Sequence, residues 1–443
     1  MTTATKGSHE MDADNRNIDL HVEHVTRVEG HGDIRLNVKN GVIEEAKLHI
    51  TESPRFFEAM LRGRSYEDAA HITCRICGIC STGHTTASLR ASEDALGIIP
   101  SEQTIKLRKI ALHGEFLQSH LLHVYFLAVP DFFGLGSVFP LVQTHRDVVS
   151  RALRLKKLAN DITGAISGRH IHGIAMAVNG FTSLPTIERL QELRERIVAA
   201  VPDLESTVEI CSTLDWPDFE RETEYVSLGG TSDYPLYSGD VVTSDGTRVS
   251  PREYRSITNE RVVKHSTAKH TRHARDAYMV GALARFNNNA DKLHPKAKEA
   301  ASALGLVAPC YKPYWISVAQ VVECVHCAYD ALEIIDDLLE TGLVEEDRTV
   351  QVRAGNGVGA VEVPRGILFH NYELNDRGQI VNANCIIPTG QNLGNIDADL
   401  RELAPQILDK PREEITLAME MLVRAYDPCI SCSVHMLNVE FTE

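Results

Sequence analysis

The sequence predicts a mainly helical α+β protein: a large helical bundle core with small peripheral β hairpins and sheets. Three observations predict it. Apolar residues recur at helical spacing in five long stretches, 101–128, 144–163, 186–210, 269–304 and 315–339. Strand-type alternation is confined to two places, 32–50 and 357–388. The composition, 43% hydrophobic and 24% charged over 443 residues, is that of an ordinary globular chain. Neither an internal repeat nor a low-complexity linker interrupts it. We therefore expect one large domain, 19–435, behind a disordered lead-in, 1–18.

Taken in order, the first element is a hairpin. "GDIRLNVKNGVIEEAKLHI" alternates through Ile34, Leu36 and Val38, turns at Asn40-Gly41 and resumes. "SPRFFEAMLRGR" reads as a short helix with Ser53 as N-cap and Pro54 at its first position. "SYEDAAHIT" repeats the signal with a Ser-x-x-Asp capping pattern. The five long helices follow, interrupted before the last segment by two alternating runs joined around 375–378. A final helix, "REEITLAMEMLVRAY", leads directly into "DPCISC".

Composition also excludes some functions. A formal net charge of −16 is the wrong sign for a nucleic-acid surface. The most apolar stretch, "HLLHVYFLAVPDFFGLGSVFPLV", is broken by histidines, prolines and an aspartate, so no membrane span is expected. The first residues are polar, without the apolar core of a signal peptide. Ten cysteines without a secretory signal point to metal or redox chemistry rather than a disulfide framework.

Two Cys-x-x-Cys pairs stand at opposite ends of the chain, Cys77/Cys80 in "RICGIC" and Cys429/Cys432 in "DPCISC". Such spacing lets a turn or helix start aim both sulfurs at one point, and four thiolates complete a site for a soft or borderline metal. Asp427 is placed to cap the final turn with Pro428 at its first position, which would lower the Cys429 pKa. Arg75 is placed to offset thiolate charge. A structural zinc site stapling the two chain ends, a catalytic metal and an iron–sulfur cluster are all compatible with this spacing. Cys324 and Cys327, within a strong helical pattern, read as core residues, and Cys74 reads as a small buried one.

The residues around the pairs are more specific. "RICGICSTGH" and "DPCISCSVH" resemble the two cysteine signatures of nickel–iron hydrogenase large subunits. "RVEGHGDI", "FFEAMLRGR", "SHLLHVYF", "GRHIHG", "VPRGILFH" and "IIPTGQNLG" resemble further motifs of that family, in its order, over nearly the whole chain. The resemblance implies reversible cleavage of dihydrogen into protons and electrons at a nickel–iron centre whose iron carries carbon monoxide and cyanide. Nickel would be held by Cys77, Cys80, Cys429 and Cys432, with Cys80 and Cys432 also bridging to iron. Glu29 would receive the proton from Cys429, and Arg365 would stand over the open metal site. Pro364 and Thr389 would contact the cyanides, and His84 would hydrogen-bond a bridging sulfur. Glu58, His435 and the Cys385 backbone carbonyl would hold a magnesium-type ion. Ser119 stands where some members carry an acid, and Gly173 where proline is frequent.

The resemblance also implies partners: an iron–sulfur small subunit, further electron-transfer subunits, nickel-insertion factors, and a maturation protease that removes residues 436–443. It is strongest to the soluble cytoplasmic branch, which serves NAD(P), deazaflavin or heterodisulfide-linked acceptors. A dihydrogen-sensing member shares the metal ligands. The quinone-site subunit of respiratory complex I lacks the nickel thiolates that this chain carries.

Overall fold

The computed structural model describes residues 17–434; most of the expected lead-in, His435 and the 436–443 extension lie outside them. Four long helices form the expected bundle: Glu102–Leu122, Arg146–Ser167, Ile187–Ser212 and Ile316–Thr341. Glu102–Leu122 packs on Arg146–Ser167 and on Ile316–Thr341, and Ile187–Ser212 closes the bundle against the same two partners. Side-chain caps start two of them, with Ser101 accepting from Thr104 N and Thr186 from Arg189 N. Leu107, Ile110, Ile162, Leu190, Leu193 and Ile335 fill the bundle and are almost wholly buried. Each such side chain contributes about 1.5–3 kcal/mol of burial.

Several local expectations are corrected. The 101–128 stretch is α-helical only to Leu122 and continues as a π-helical turn, His123–Ala128. Pro130 lacks an N–H and crowds the carbonyl four residues back, which favours the wider turn. The stretch 269–304 is not one helix. It holds the end of strand Ser266–His270, strand Tyr278–Met279 and helices Ala282–Asn289 and Pro295–Leu304. Gly281, at φ 111, and Pro295, at a first helical position, divide it. Ser53 and Pro54 do not start a helix; the helix is Phe57–Leu61, with no side-chain cap. The preceding segment is held by Arg55 N, which donates to Val434 O at 2.8 Å. Ser65 does cap its helix, Tyr66–Thr73, accepting from Glu67 N.

The strands of the described residues form five small sheets. Strands Gly32–Lys39 and Val42–Ile50 form the expected hairpin, with Asn40 and Gly41 both at positive φ. Ile18–Val22 adds to its edge. The two expected runs at 357–388 are three antiparallel strands, Gly355–Val363, Gly366–Leu374 and Ile380–Ile386. The first run is itself a hairpin that turns at Pro364 and Arg365.

That sheet receives a helix the apolar pattern did not reveal, Ser81–Leu96, whose first turn follows Cys80. The contact is backbone to backbone. A Cβ on Gly359 would lie 2.0 Å from Ala87 O, and one on Gly357 2.1 Å from Ala95 N. Small residues on both surfaces bring the helix start, and Cys80 with it, against the turn carrying Arg365. Gly359→Ala is therefore expected to cost about 1–3 kcal/mol through overpacking, read as a lower thermal midpoint. Gly136→Ala, where no atom lies within 4 Å of the added carbon, should leave the midpoint unchanged.

Candidate metal centre

Both thiol pairs lie on loops that lead into helices. After the helix Tyr66–Thr73 the chain makes a short 3₁₀ turn, Cys74–Ile76, so that Cys77 and Cys80 precede Ser81–Leu96. At the other end the helix Arg412–Ala425 stops, Asp427 takes φ 49, and Cys429 begins the short helix Ile430–Ser433.

The fold brings the four sulfurs together. Cys77, Cys80, Cys429 and Cys432 are all buried in one cluster with Phe57, Val361, Val363 and Ile387. Cys77 Sγ lies 3.5 Å from Cys429 Sγ, and no disulfide joins any of them. Metal-ligating atoms of Cys77, Cys80 and Cys432 fall within 4.8 Å of one another, as do those of Glu29, Cys429 and Cys432. Hydrogen bonds from Cys429, Cys432 and Cys80 hold the Cys77 thiol well below the ordinary thiol range. Cys429 is driven well above it by its contacts with Cys432, Cys77 and Cys80 and by burial. Four buried thiols in mutual contact cannot all ionise unaided. A divalent cation resolves that conflict by replacing their protons, so the donor set fits a thiophilic metal.

The two loops are tied by other groups. Glu29 N donates to Pro428 O at 3.3 Å and Ile430 N to Glu29 O at 2.9 Å, a short parallel bridge. The Glu29 carboxylate accepts from Cys429 Sγ and Ser431 N, both at 3.1 Å, and from the Ser431 hydroxyl. The carboxylate is thereby held directly on a thiol. Arg55, which no sequence pattern singles out, donates to Ile76 O at 2.7 Å and to Ser431 O, one contact on each loop.

Arg365 is buried beside the sulfurs. It donates to Asp427 O at 2.5 Å, to Asp427 Oδ1 at 2.8 Å and to Ser119 Oγ at 3.2 Å. Asp427 therefore does not cap the last helix as the sequence suggests. Its carboxylate instead holds Arg365 and accepts from Gln320 Nε2 at 3.4 Å. Cys429 N is satisfied by the Thr389 hydroxyl at 3.0 Å. Arg75 does not face the thiols either. It is exposed and donates to His71 O and Cys74 Sγ, so Arg365 supplies the positive charge.

Sequence reasoning missed two further groups. Arg285 donates to Val363 O and Pro364 O, both at 3.0 Å, while paired with Glu323 and Glu362, and so fixes the turn that presents Arg365. Its signal is a lone charge inside the apolar run "YMVGALARF". Glu115 accepts from Thr82 N at 2.7 Å and Gly83 N at 3.1 Å at the start of Ser81–Leu96. Burial, opposed by these bonds, pushes its pKa up to about 8. No local pattern marks it.

His84 is buried, with Nδ1 3.1 Å from His370 Nε2, and burial lowers its pKa to about 4. Glu58 accepts from Cys385 N at 2.7 Å, while its Oε2 is buried with no hydrogen-bond partner among the described residues. An unsatisfied buried carboxylate oxygen suits an oxygen-seeking cation. Cys324 and Cys327 are buried in the main core, and burial raises both thiols. Cys74 is buried as expected.

Comparison with known proteins agrees with this geometry. A family profile described as nickel-dependent hydrogenase matches residues 55–146 and 232–435, and a HoxL-like profile matches 19–53. The chain is 34% identical over 420 residues to the alpha chain of sulfhydrogenase 1 from Pyrococcus furiosus, covering 94% of this chain and 98% of that protein. It is 33% identical to a chain of the F420-non-reducing hydrogenase of Methanothermobacter marburgensis, covering 95% of each. The solved structure of an NAD+-reducing [NiFe]-hydrogenase in the H2-reduced state superimposes with a TM-score of 0.85, at 26% identity, over 95% of this chain and all of that one. With its sequence matched along nearly its whole length and its backbone reproduced, this chain belongs to the nickel-dependent hydrogenases.

Proposed function

We propose that the chain is the catalytic subunit of a nickel–iron hydrogenase that splits dihydrogen reversibly and passes electrons to an iron–sulfur partner subunit. The observation that carries this reading is the convergence of four buried sulfurs with a carboxylate on one and a guanidinium beside them. In this reading Cys77, Cys80, Cys429 and Cys432 would hold nickel, and Cys80 and Cys432 would also hold iron. The centre, when bound, supplies polarisation of dihydrogen and uptake of its electrons.

The chain's own residues then handle charge and protons. Cys429 Sγ is 3.1 Å from Glu29 Oε2, within reach for direct transfer of a proton from thiol to carboxylate. Ser431 holds that carboxylate in place through N–H and hydroxyl. Glu29 is partly exposed, so it faces both the thiols and a route outward. Arg365 uses three of its five N–H donors on Asp427 and Ser119, leaving two for an anionic ligand such as an iron-bound cyanide. Thr389 accepts from Cys429 N and retains its own hydroxyl proton to donate. Together with Pro364 it forms the wall we assign to the diatomic ligands, carbon monoxide and cyanide. His84 N donates to Cys80 O at 3.1 Å, and we assign its ring to the Cys80 sulfur.

Glu58, with the Cys385 backbone and His435, is assigned to a magnesium-type ion. The unpartnered Glu58 oxygen supports this. We also read 436–443 as an extension that a protease removes after nickel insertion. Val434, fully buried and bonded to Arg55, supports a chain end that closes onto the site. No helix among the described residues is long and apolar enough to cross a membrane. The names of the relatives support a multisubunit assembly with a soluble acceptor, which we place in the cytoplasm.

Four outcomes are expected. Metal analysis of the chain purified with its partner should give about one nickel per chain with iron in excess. Cys432→Ser should abolish nickel binding, and one zinc without nickel would instead indicate a structural staple. Glu29→Gln should keep nickel and iron while lowering H2 turnover roughly 10²–10⁴-fold, the usual worth of a positioned proton acceptor. Wild-type turnover in that variant would remove Glu29 from the proton path. Glu58→Gln should lose the magnesium-type ion, measured by elemental analysis, without loss of nickel.

A further inference from the structure

A second group of ligating side chains lies apart from the thiols. We propose that His265, His270 and Asp397 form a binding site for a divalent transition-metal ion of the zinc class. His270 ends strand Ser266–His270, His265 immediately precedes that strand, and Asp397 lies on helix Pro388–Leu403. One ligating atom from each falls within 4.8 Å of the other two. His265 Nε2 is 2.9 Å from Asp397 Oδ2, and Asp397 Oδ1 accepts from Leu48 N at 2.9 Å, which fixes the carboxylate against strand Val42–Ile50.

The observation pointing to a ligand is His270. Its residue is 2% exposed, yet Nε2 has no hydrogen-bond partner among the described residues. A buried imidazole nitrogen left without a partner costs free energy that a histidine–aspartate pair alone would not require. Two imidazoles and one carboxylate are a donor set for zinc, nickel or cobalt rather than for magnesium or calcium. Donors on a tetrahedral zinc stand about 3.3 Å apart, so the three ligand atoms would draw together by at most about 1.5 Å. His49, with its ring centroid 5.3 Å from that of His265, is held by Glu45 through Nε2 and lies outside the group, so water would complete the coordination. The His265 and Asp397 side chains are 14% and 16% exposed, which leaves the ion an entrance from solvent.

The location gives the ion a role. The same helix begins at Pro388, and Thr389 in its first turn satisfies Cys429 N. An ion linking it to the Ser266–His270 strand would brace one wall of the thiol centre without touching it.

The test is a Co²⁺ titration of the assembled, metal-loaded complex after dialysis against chelator, followed by visible absorption and metal analysis. We expect one Co²⁺ per chain beyond the resident nickel and iron, with the intense visible bands of low-coordinate nitrogen and oxygen ligation, displaced by Zn²⁺. His270→Ala and Asp397→Asn should each weaken that uptake at least tenfold while nickel content is retained. His265→Ala alters a partly exposed side chain and carries the test if the buried variants fail to fold. Equal Co²⁺ uptake and equal spectra in wild type and a folded His265→Ala protein would overturn the site.

Discussion

Everything at the thiol centre depends on holding two cysteine loops, 352 residues apart in sequence, at sulfur–sulfur contact distance. Four thiols in such contact repel one another once ionised, so the loops need attachments that do not rely on the sulfurs. The backbone bridge between Glu29 and the Cys429 loop is one, and Arg55, with a contact on each loop, is another. Both come from the segment that precedes the first thiol pair. The amino-terminal end of the domain thus clamps the carboxy-terminal loop from one side, while the Arg365–Asp427 pair clamps it from the other.

Charge is managed by the same contacts. Arg365 compensates thiolate charge, Asp427 compensates Arg365, and Arg285 with Glu323 and Glu362 fixes the turn on which Arg365 sits. Removing one member of a buried ion pair costs several kcal/mol, about 3–5, because its partner is left uncompensated. These groups therefore act as one unit, and the position of the guanidinium beside the sulfurs is set by Asp427, Arg285, Glu323 and Glu362.

Much of the site was legible in the sequence, for reasons that differ by residue. The thiol pairs announce themselves because Cys-x-x-Cys is local geometry, and the long bundle helices because their apolar spacing is regular. The helix Ser81–Leu96 escaped notice because its sequence, "STGHTTASLRASEDAL", has no apolar stripe. It is buried on nearly every side and packs through small residues against glycines. Asp427 was misassigned because a side chain that suits a helix cap also suits a buried guanidinium, and only the long-range position of Arg365 decides between them. Glu115 and Arg55 act on groups distant in sequence and leave no local trace. The stretch 269–304 shows the opposite failure, an apolar pattern strong enough to hide Gly281 and Pro295.

The bridge between residues 29 and 429 also orders events during synthesis. Closing a loop of that length carries an entropic cost of about 5 kcal/mol, and closure must wait until the last segment has been made. At ribosomal speeds of roughly 5–20 residues per second, Cys77 and Cys80 stand without their partners for about twenty seconds to over a minute. For that interval the nascent chain presents one of the two thiol pairs without the other. The topology thereby leaves the first thiol pair without its partners until the loop that carries Cys429 and Cys432 has been made.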